Sequence, residues 1–278
     1  MNYDVIIIGA GPGGIFSAYE LTKLNPNCKV AVFEAGHALS KRRCPIDGDK
    51  VKSCIGCSSC SIMSGFGGAG AFSDGKLNTL VKDKVFRGQF ILKELVKAGA
   101  PEETLYIAKP HVGTDLLRGV VANLRKEIIS LGGEIRFETE LEDIVTEDGR
   151  ITAVIADGEK IETDTLFLAT GQSARNVAEM LYRHGAEIEK KPFSVGFRIE
   201  HSQGMIDISQ YGESDDLRFL PPAEYKLFTH CKNGRTVYSF CMCPGGEVVN
   251  ASAENGHLVT NGMSYHARDG RNANSAIL

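Results

Sequence analysis

The chain has no long apolar run. The longest early one, residues 5–8, is far short of the ~18 residues a spanning helix needs, and no signal peptide is expected. A cytoplasmic location without membrane contact is therefore expected. There is no basic excess either: 31 Lys and Arg stand against 35 Asp and Glu, a formal net charge of -4. Without a cationic surplus to hold a phosphodiester backbone, nucleic acid is not an expected partner. Internal repeats and low-complexity tracts are also missing. His111, His201, His230 and His266 lack metal-ligand spacing and read as structural.

What remains is globular. Hydrophobic residues make up 42% and charged residues 24% of 278, which excludes general disorder. That length suits two domains. Eight cysteines in a reducing compartment are expected to be thiols or metal ligands rather than disulfides. The N-A-S triplet at Asn250 reads as chance.

Residues 3–8 are β-branched and apolar, and a glycine turn and a helical stretch to Leu24 follow. A second buried strand at 29–33 ends at Glu34. This is a β-α-β unit with parallel, fully buried strands. Residues 44–75 are rich in Gly, Ser and Cys and have no period, which predicts an ordered functional loop. Helices are predicted at 90–97 and 115–131, the latter with Leu117, Val120, Val121, Leu124, Ile128 and Leu131 on one stripe. Short strands at 135–137, 141–146, 151–156 and 160–163 predict an antiparallel meander. A buried strand at 165–169 and a helix at 177–184 follow. Beyond 190 the pattern is mainly β, with a hairpin of residues 225–231 and 236–243 turning on Asn233-Gly234. In that register Cys231 faces Thr236, Lys226 faces Cys241, and Cys241 and Cys243 share a face.

The chemistry concentrates at Gly9-x-Gly11-x-x-Gly14, after a strand and at a helix start. Gly9 permits the tight turn, Gly11 lets main chain approach a diphosphate, and Gly14 lets helix and strand pack. Pro12 and Gly13 complete a helix N-terminus that donates N–H groups to phosphate. Glu34, twenty residues past Gly14, is placed to accept both ribose hydroxyls of an adenosine, with Ala35 beside it. Arg42, with Arg43, can reach the diphosphate from the next loop. Gly68, Ala69 and Gly70 lie in a run of small residues that lets backbone amides meet a flat ring or a diphosphate. The position of the fingerprint at the N-terminus favours FAD over NAD, and no second GxGxxG followed by an acid or Arg is found for a separate NAD(P) domain.

The strand ending at Ala169-Thr170-Gly171 resembles the one that closes the FAD domain of two-dinucleotide-domain flavoproteins. Residues 67–77, 109–114, 191–201, 238–246 and 261–264 resemble the family of uncharacterised FAD-dependent dehydrogenases related to glutathione-reductase-type flavoproteins. The resemblance implies FAD and a redox role without naming a substrate. Family members continue past residue 275 with a glycine-rich segment that completes the FAD domain, so this chain looks C-terminally truncated and its first domain's sheet or cleft is expected to be left open.

The expected fold is α/β: a Rossmann-like FAD-binding domain of three layers (ββα) over residues 1–190, and a smaller, mainly β substrate domain over 191–278. The expected function is hydride transfer at flavin N5 to or from a small-molecule substrate or electron carrier. The alternative is a flavin- or iron–sulfur-bearing electron-transfer or redox-sensing protein. Cys241, Cys243 and Lys76 are the catalytic candidates. Cys54-x-x-Cys57-x-x-Cys60, with Cys44 upstream, leaves a cluster, a zinc site, a redox thiol pair and inert thiols all open.

Overall fold

The structure is a computed structural model that describes residues 2–77, 82–254 and 256–278. In chain order the elements are β1 (Val5–Ile8), α1 (Pro12–Leu24), β2 (Val30–Glu34), α2 (Arg87–Lys97), α3 (Thr114–Ser130), β3 (Glu134–Phe137), β4 (Leu141–Glu147), β5 (Arg150–Ala156), β6 (Glu159–Glu162), β7 (Leu166–Leu168) and α4 (Arg175–Arg183). The second half adds β8 (Phe197–Ser202), α5 (Gln203–Tyr211), β9 (Phe228–His230), β10 (Thr236–Tyr238), β11 (Glu247–Asn250), β12 (Thr260–Met263) and β13 (Asn272–Ile277). No helix among the described residues is long and apolar enough to cross a membrane.

The chain forms two compact units. The first spans Met1–Ala71, Arg118–Lys190 and Ser252–His257; the second spans Phe72–Leu117, Lys191–Ala251 and Leu258–Leu278. Where the sequence reading runs the first domain unbroken over 1–190, the second unit takes residues 72–117 as well.

The first unit is the α/β fold expected, a Rossmann-like domain. Its parallel sheet has the order β3-β2-β1-β7. Every residue of β1 and β2 is buried, as strands covered on both faces must be. One face of this sheet presents Ile6, Ile8, Ala31 and Phe33 to Leu141, Ile144, Val154, Ala156 and Ile161 of the β4-β5-β6 meander, with Val177 and Met180 of α4 closing the cluster. The helix α1 buries Ile15, Ala18, Tyr19 and Thr22. Of the stripe predicted for α3, Val120, Val121, Leu124 and Ile128 are buried. The three-layer order follows from these faces.

One strand departs from the prediction. The segment read as the first strand of the meander is β3, and it pairs parallel with β2, Val32 opposite Ile135. It follows α3 as a crossover strand does, so it extends the parallel sheet; the meander proper is β4-β5-β6, antiparallel throughout.

In the second unit β8 pairs antiparallel with β13, and β9-β10 and β11-β12 are two-stranded pairs. The predicted hairpin exists with its register shifted by one. His230, not Cys231, faces Thr236. The Cys231 N–H bonds to the Arg235 carbonyl at 2.8 Å, and Gly234 takes φ 81°, giving a three-residue loop with a left-handed glycine. The chain leaves this ladder after Ser239, so the expected Lys226–Cys241 pair does not form. Cys243 bridges Asn274 of β13 instead. Cys241 is exposed and Cys243 buried, so the two thiols do not share an environment.

Candidate functional site

Within the first unit an open cleft of about 760 Å³ lies over the β1–α1 turn. Such a volume suits a nucleotide-sized ligand. Gly9, Gly11, Pro12 and Gly13 line it, with Glu34 and Ala35 at the end of β2. Gly68, Ala69 and Gly70 line it from the glycine loop, and Ala169, Thr170 and Gly171 from the end of β7. Twelve of the fourteen expected cofactor residues thus meet in one place.

Gly14 does its work from behind. A Cβ on it would lie 1.8 Å from the Gly9 carbonyl oxygen, and a Cβ on Gly9 would lie 2.5 Å from the Ala169 oxygen. The turn closes only because neither side chain exists. Gly14→Ala is expected to cost about 1–3 kcal/mol as an overpacked site. Urea unfolding of the variant beside wild type checks this. Gly11 differs: the nearest atom to a Cβ there is the Gly68 Cα at 3.9 Å, so its open side faces the cleft. The helix α1 begins with Pro12 and has no side-chain cap, which leaves leading N–H groups and the positive helix end for an anion.

Glu34 is buried, at 6% exposure, yet reaches the cleft wall. Its Oε2 accepts from Ala10 N at 2.7 Å, and its Oε1 accepts from Gly36 N at 2.8 Å and Gly65 N at 2.9 Å. A carboxylate offers about four acceptor positions. Three are occupied by main chain, so about one remains for a ribose hydroxyl rather than the pair expected from sequence. Glu34 is as much the fastener of the loop as a ligand group.

Arg42 does not line the cleft. It is 1% exposed, and its guanidinium donates to the carbonyls of Ser61, Ile62, Gly65, Phe66 and Gly68. Burial pulls it down to about 10, with Glu34 opposing the fall. A direct reach to the diphosphate is thereby corrected, because those donors are spent on the loop. Among the described residues lining the cleft there is no Lys, Arg or His. The phosphates of a ligand there would be held by main-chain N–H groups.

Sequence reasoning missed part of the wall. Ser58, Cys60, Ser64 and Gly65 face the cleft from the loop, and Thr139, Glu140 and Asn176 from the meander side. Nothing in local pattern announces these contacts. The spacing groups Cys60 with Cys54, Cys57 and Cys44 as metal ligands, a redox pair or inert thiols. Cys54 and Cys57 are exposed, Cys44 and Cys60 half-buried, and all are free thiols. Among the described residues no group of three His, Cys, Asp or Glu side chains is gathered for a metal.

The second unit has a charged cluster of its own. Asp74, 4% exposed, accepts from Arg268 Nη2 at 2.5 Å and pairs with Lys76 Nζ at 2.9 Å. Ser264 donates to the same carboxylate, and Lys76 also donates to the Met242 carbonyl. Burial pushes the Asp74 carboxyl up, but Lys76, Arg268 and Ser264 together hold it below its ordinary value. Cys243 lies beside this group. Burial pushes its thiol up, Asp74 adds to that, and Lys76, Arg198 and Arg268 oppose it. Arg198 donates to Asn274 Oδ1 at 2.7 Å. A Cβ on Gly262 would lie 2.7 Å from Cys243 Sγ. Lys76 and Cys243 are therefore brought together and Cys241 is not.

Two family models match parts of the chain. Residues 7–48 match the model described as NAD(P)-binding Rossmann-like domain, and residues 192–278 match FAD-dependent protein, C-terminal domain-like. A protein of Clostridium beijerinckii (strain ATCC 51743 / NCIMB 8052), described as uncharacterized, is 47% identical over 274 residues. The match covers 98% of this chain and 50% of that one, so the chain spans half the length of this relative. Among solved structures, THI4 of Thermovibrio ammonificans is 20% identical with a TM-score of 0.43, covering 67% of this chain and 64% of its own. Glycine oxidase of Geobacillus kaustophilus is 16% identical with a TM-score of 0.40, covering 65% and 58%. The cleft's glycine corner, its main-chain N–H groups and the Glu34 carboxylate fit a flavin adenine dinucleotide, and with the FAD-dependent match the cofactor of this chain is FAD.

Proposed function

We propose that this chain is the cofactor-binding part of an FAD-dependent oxidoreductase acting on a small molecule or electron carrier. Bound FAD would supply hydride transfer at N5. The observation that carries the reading is the cleft: fourteen residues were expected to surround one dinucleotide, and twelve line it. The chain's own part is to bind and orient. The β1–α1 turn offers N–H donors to the diphosphate, and Glu34 offers an acceptor to the ribose while its charge repels a 2′-phosphate. The groups proposed to act on substrate are Lys76 and Cys243, which share the buried charged cluster, and the exposed Cys241.

Titrating the purified chain with FAD tests the reading. Quenching of flavin fluorescence is expected, together with a rise in unfolding temperature. At a free FAD concentration 100 times Kd the gain is about 2.7 kcal/mol, or several degrees. FAD in excess that is neither quenched nor stabilising overturns the cofactor assignment. Turnover of the reduced protein by an organic acceptor separates an oxidoreductase from an electron-transfer protein that reoxidises only with oxygen or thiols.

A further inference from the structure

We propose that Arg42 is a positioning residue for the diphosphate: it turns the Gly68–Ala69 peptide so that the Ala69 N–H faces the cleft as a donor. The proposal deepens the FAD reading and rests on it.

Arg42 sits behind the 61–68 segment, where its guanidinium gathers five carbonyls. Each of those peptides is trans, so its N–H points opposite to its carbonyl. The Phe66–Gly67 peptide shows the consequence. Its carbonyl accepts from Arg42 at 2.8 Å, and its N–H donates to the Ala10 carbonyl of the β1–α1 turn at 2.8 Å. The Gly68 carbonyl likewise accepts from Arg42 at 2.9 Å. Its partner N–H, that of Ala69, has no acceptor among the described residues. Ala69 lines the cleft, and Arg42 does not. An N–H left free on the wall of a cleft without basic side chains is a donor for an anion.

Gly68 makes this geometry possible. It has φ 62°, and a Cβ there would lie 2.9 Å from the Gly11 Cα. The loop therefore rests directly on the glycine turn. Arginine is needed rather than any cation. Its planar fork of donors can hold several carbonyls in fixed directions, whereas a lysine ammonium is a single point.

Three variants test the proposal, read by the dissociation constants of ADP and adenosine. Arg42→Met removes charge and fork. Arg42→Lys keeps the charge alone. Ala69→Pro deletes the N–H itself at the first residue of a helical turn, where proline is tolerated. All three are expected to weaken ADP roughly 10- to 100-fold, the worth of one or two hydrogen bonds to a charged acceptor. Adenosine should change by about threefold or less in Ala69→Pro.

A wild-type affinity in Arg42→Lys would mean that charge, not orientation, is what matters, and would overturn the proposal. So would unchanged ADP binding in Ala69→Pro, or equal weakening of ADP and adenosine in all three. If the Arg42 variants do not fold, Ala69→Pro decides. A wild-type chain that binds neither FAD nor ADP removes the FAD reading and this proposal with it; wild-type binding with unaffected variants removes the proposal alone.

Discussion

Glu34→Ala is expected to lower the stability of the first unit by about 3–6 kcal/mol and to weaken FAD by more than ~100-fold. The carboxylate accepts from three main-chain N–H groups, those of Ala10, Gly36 and Gly65. Alanine leaves all three without their acceptor. A buried donor without a partner costs about 1–3 kcal/mol, and water entering from the cleft keeps the sum near the lower end. The three donors come from different stretches of chain: the β1–α1 turn, the turn after β2, and the loop that carries Gly68 to Gly70. Losing their common acceptor therefore releases the cleft wall as well as the ribose contact.

Glu34→Gln separates these effects. Glutamine keeps shape but points an NH2 at donors on one side, so it should destabilise less than alanine while still weakening FAD. Urea titration gives the first quantity and flavin quenching the second. An alanine variant within about 1 kcal/mol of wild type would mean that these hydrogen bonds contribute nothing net.

The turn and the strand ends that line the cleft are legible because each depends on a short stretch of sequence. Gly9, Gly11 and Gly14 sit where a strand must become a helix within a few residues, and only the absence of a Cβ permits that. Glu34 ends a strand whose five residues are all buried, which sequence alone makes plain. Arg42 reads from sequence as a diphosphate contact, whereas the structure spends its donors on the loop. Its five acceptors lie 19 to 26 residues away along a segment with no period, and no local rule says where those carbonyls point.

The pairing of β3 failed for a related reason. Four residues do not reveal their partner; the preceding α3 and the crossover geometry do. In the β9–β10 hairpin Asn233-Gly234 suggested a two-residue turn. The chain instead puts Gly234 at the left-handed position of a three-residue loop, and that one-residue shift altered every facing pair. The surroundings of Cys243 were illegible because it meets β13, thirty-one residues on, rather than its own hairpin.

Asp74→Ala is expected to destabilise the second unit by about 3–5 kcal/mol, the usual cost of removing one partner from a buried ion pair. Asp74 is the common counterion of Lys76 and Arg268, and both cations are themselves largely covered. Without it two positive charges face each other with Arg198 close by and no carboxylate between them. Asp74→Asn keeps the shape and acceptor oxygen and loses the charge, so its cost measures the electrostatic part alone. The same group sets an acid limit. Its folded carboxyl titrates below its ordinary value, because the two cations and Ser264 outweigh burial. A carboxyl depressed in this way stabilises the fold above its unfolded value of roughly 4, and the contribution is lost as pH falls through the lower folded value. Wild type should therefore lose stability on acidification below about pH 4, with a steeper slope than Asp74→Asn. Unfolding free energies measured from pH 6 down to 3 on both proteins give the comparison. Equal slopes would show that the cations of this cluster do not depend on Asp74, and that another group carries their balance.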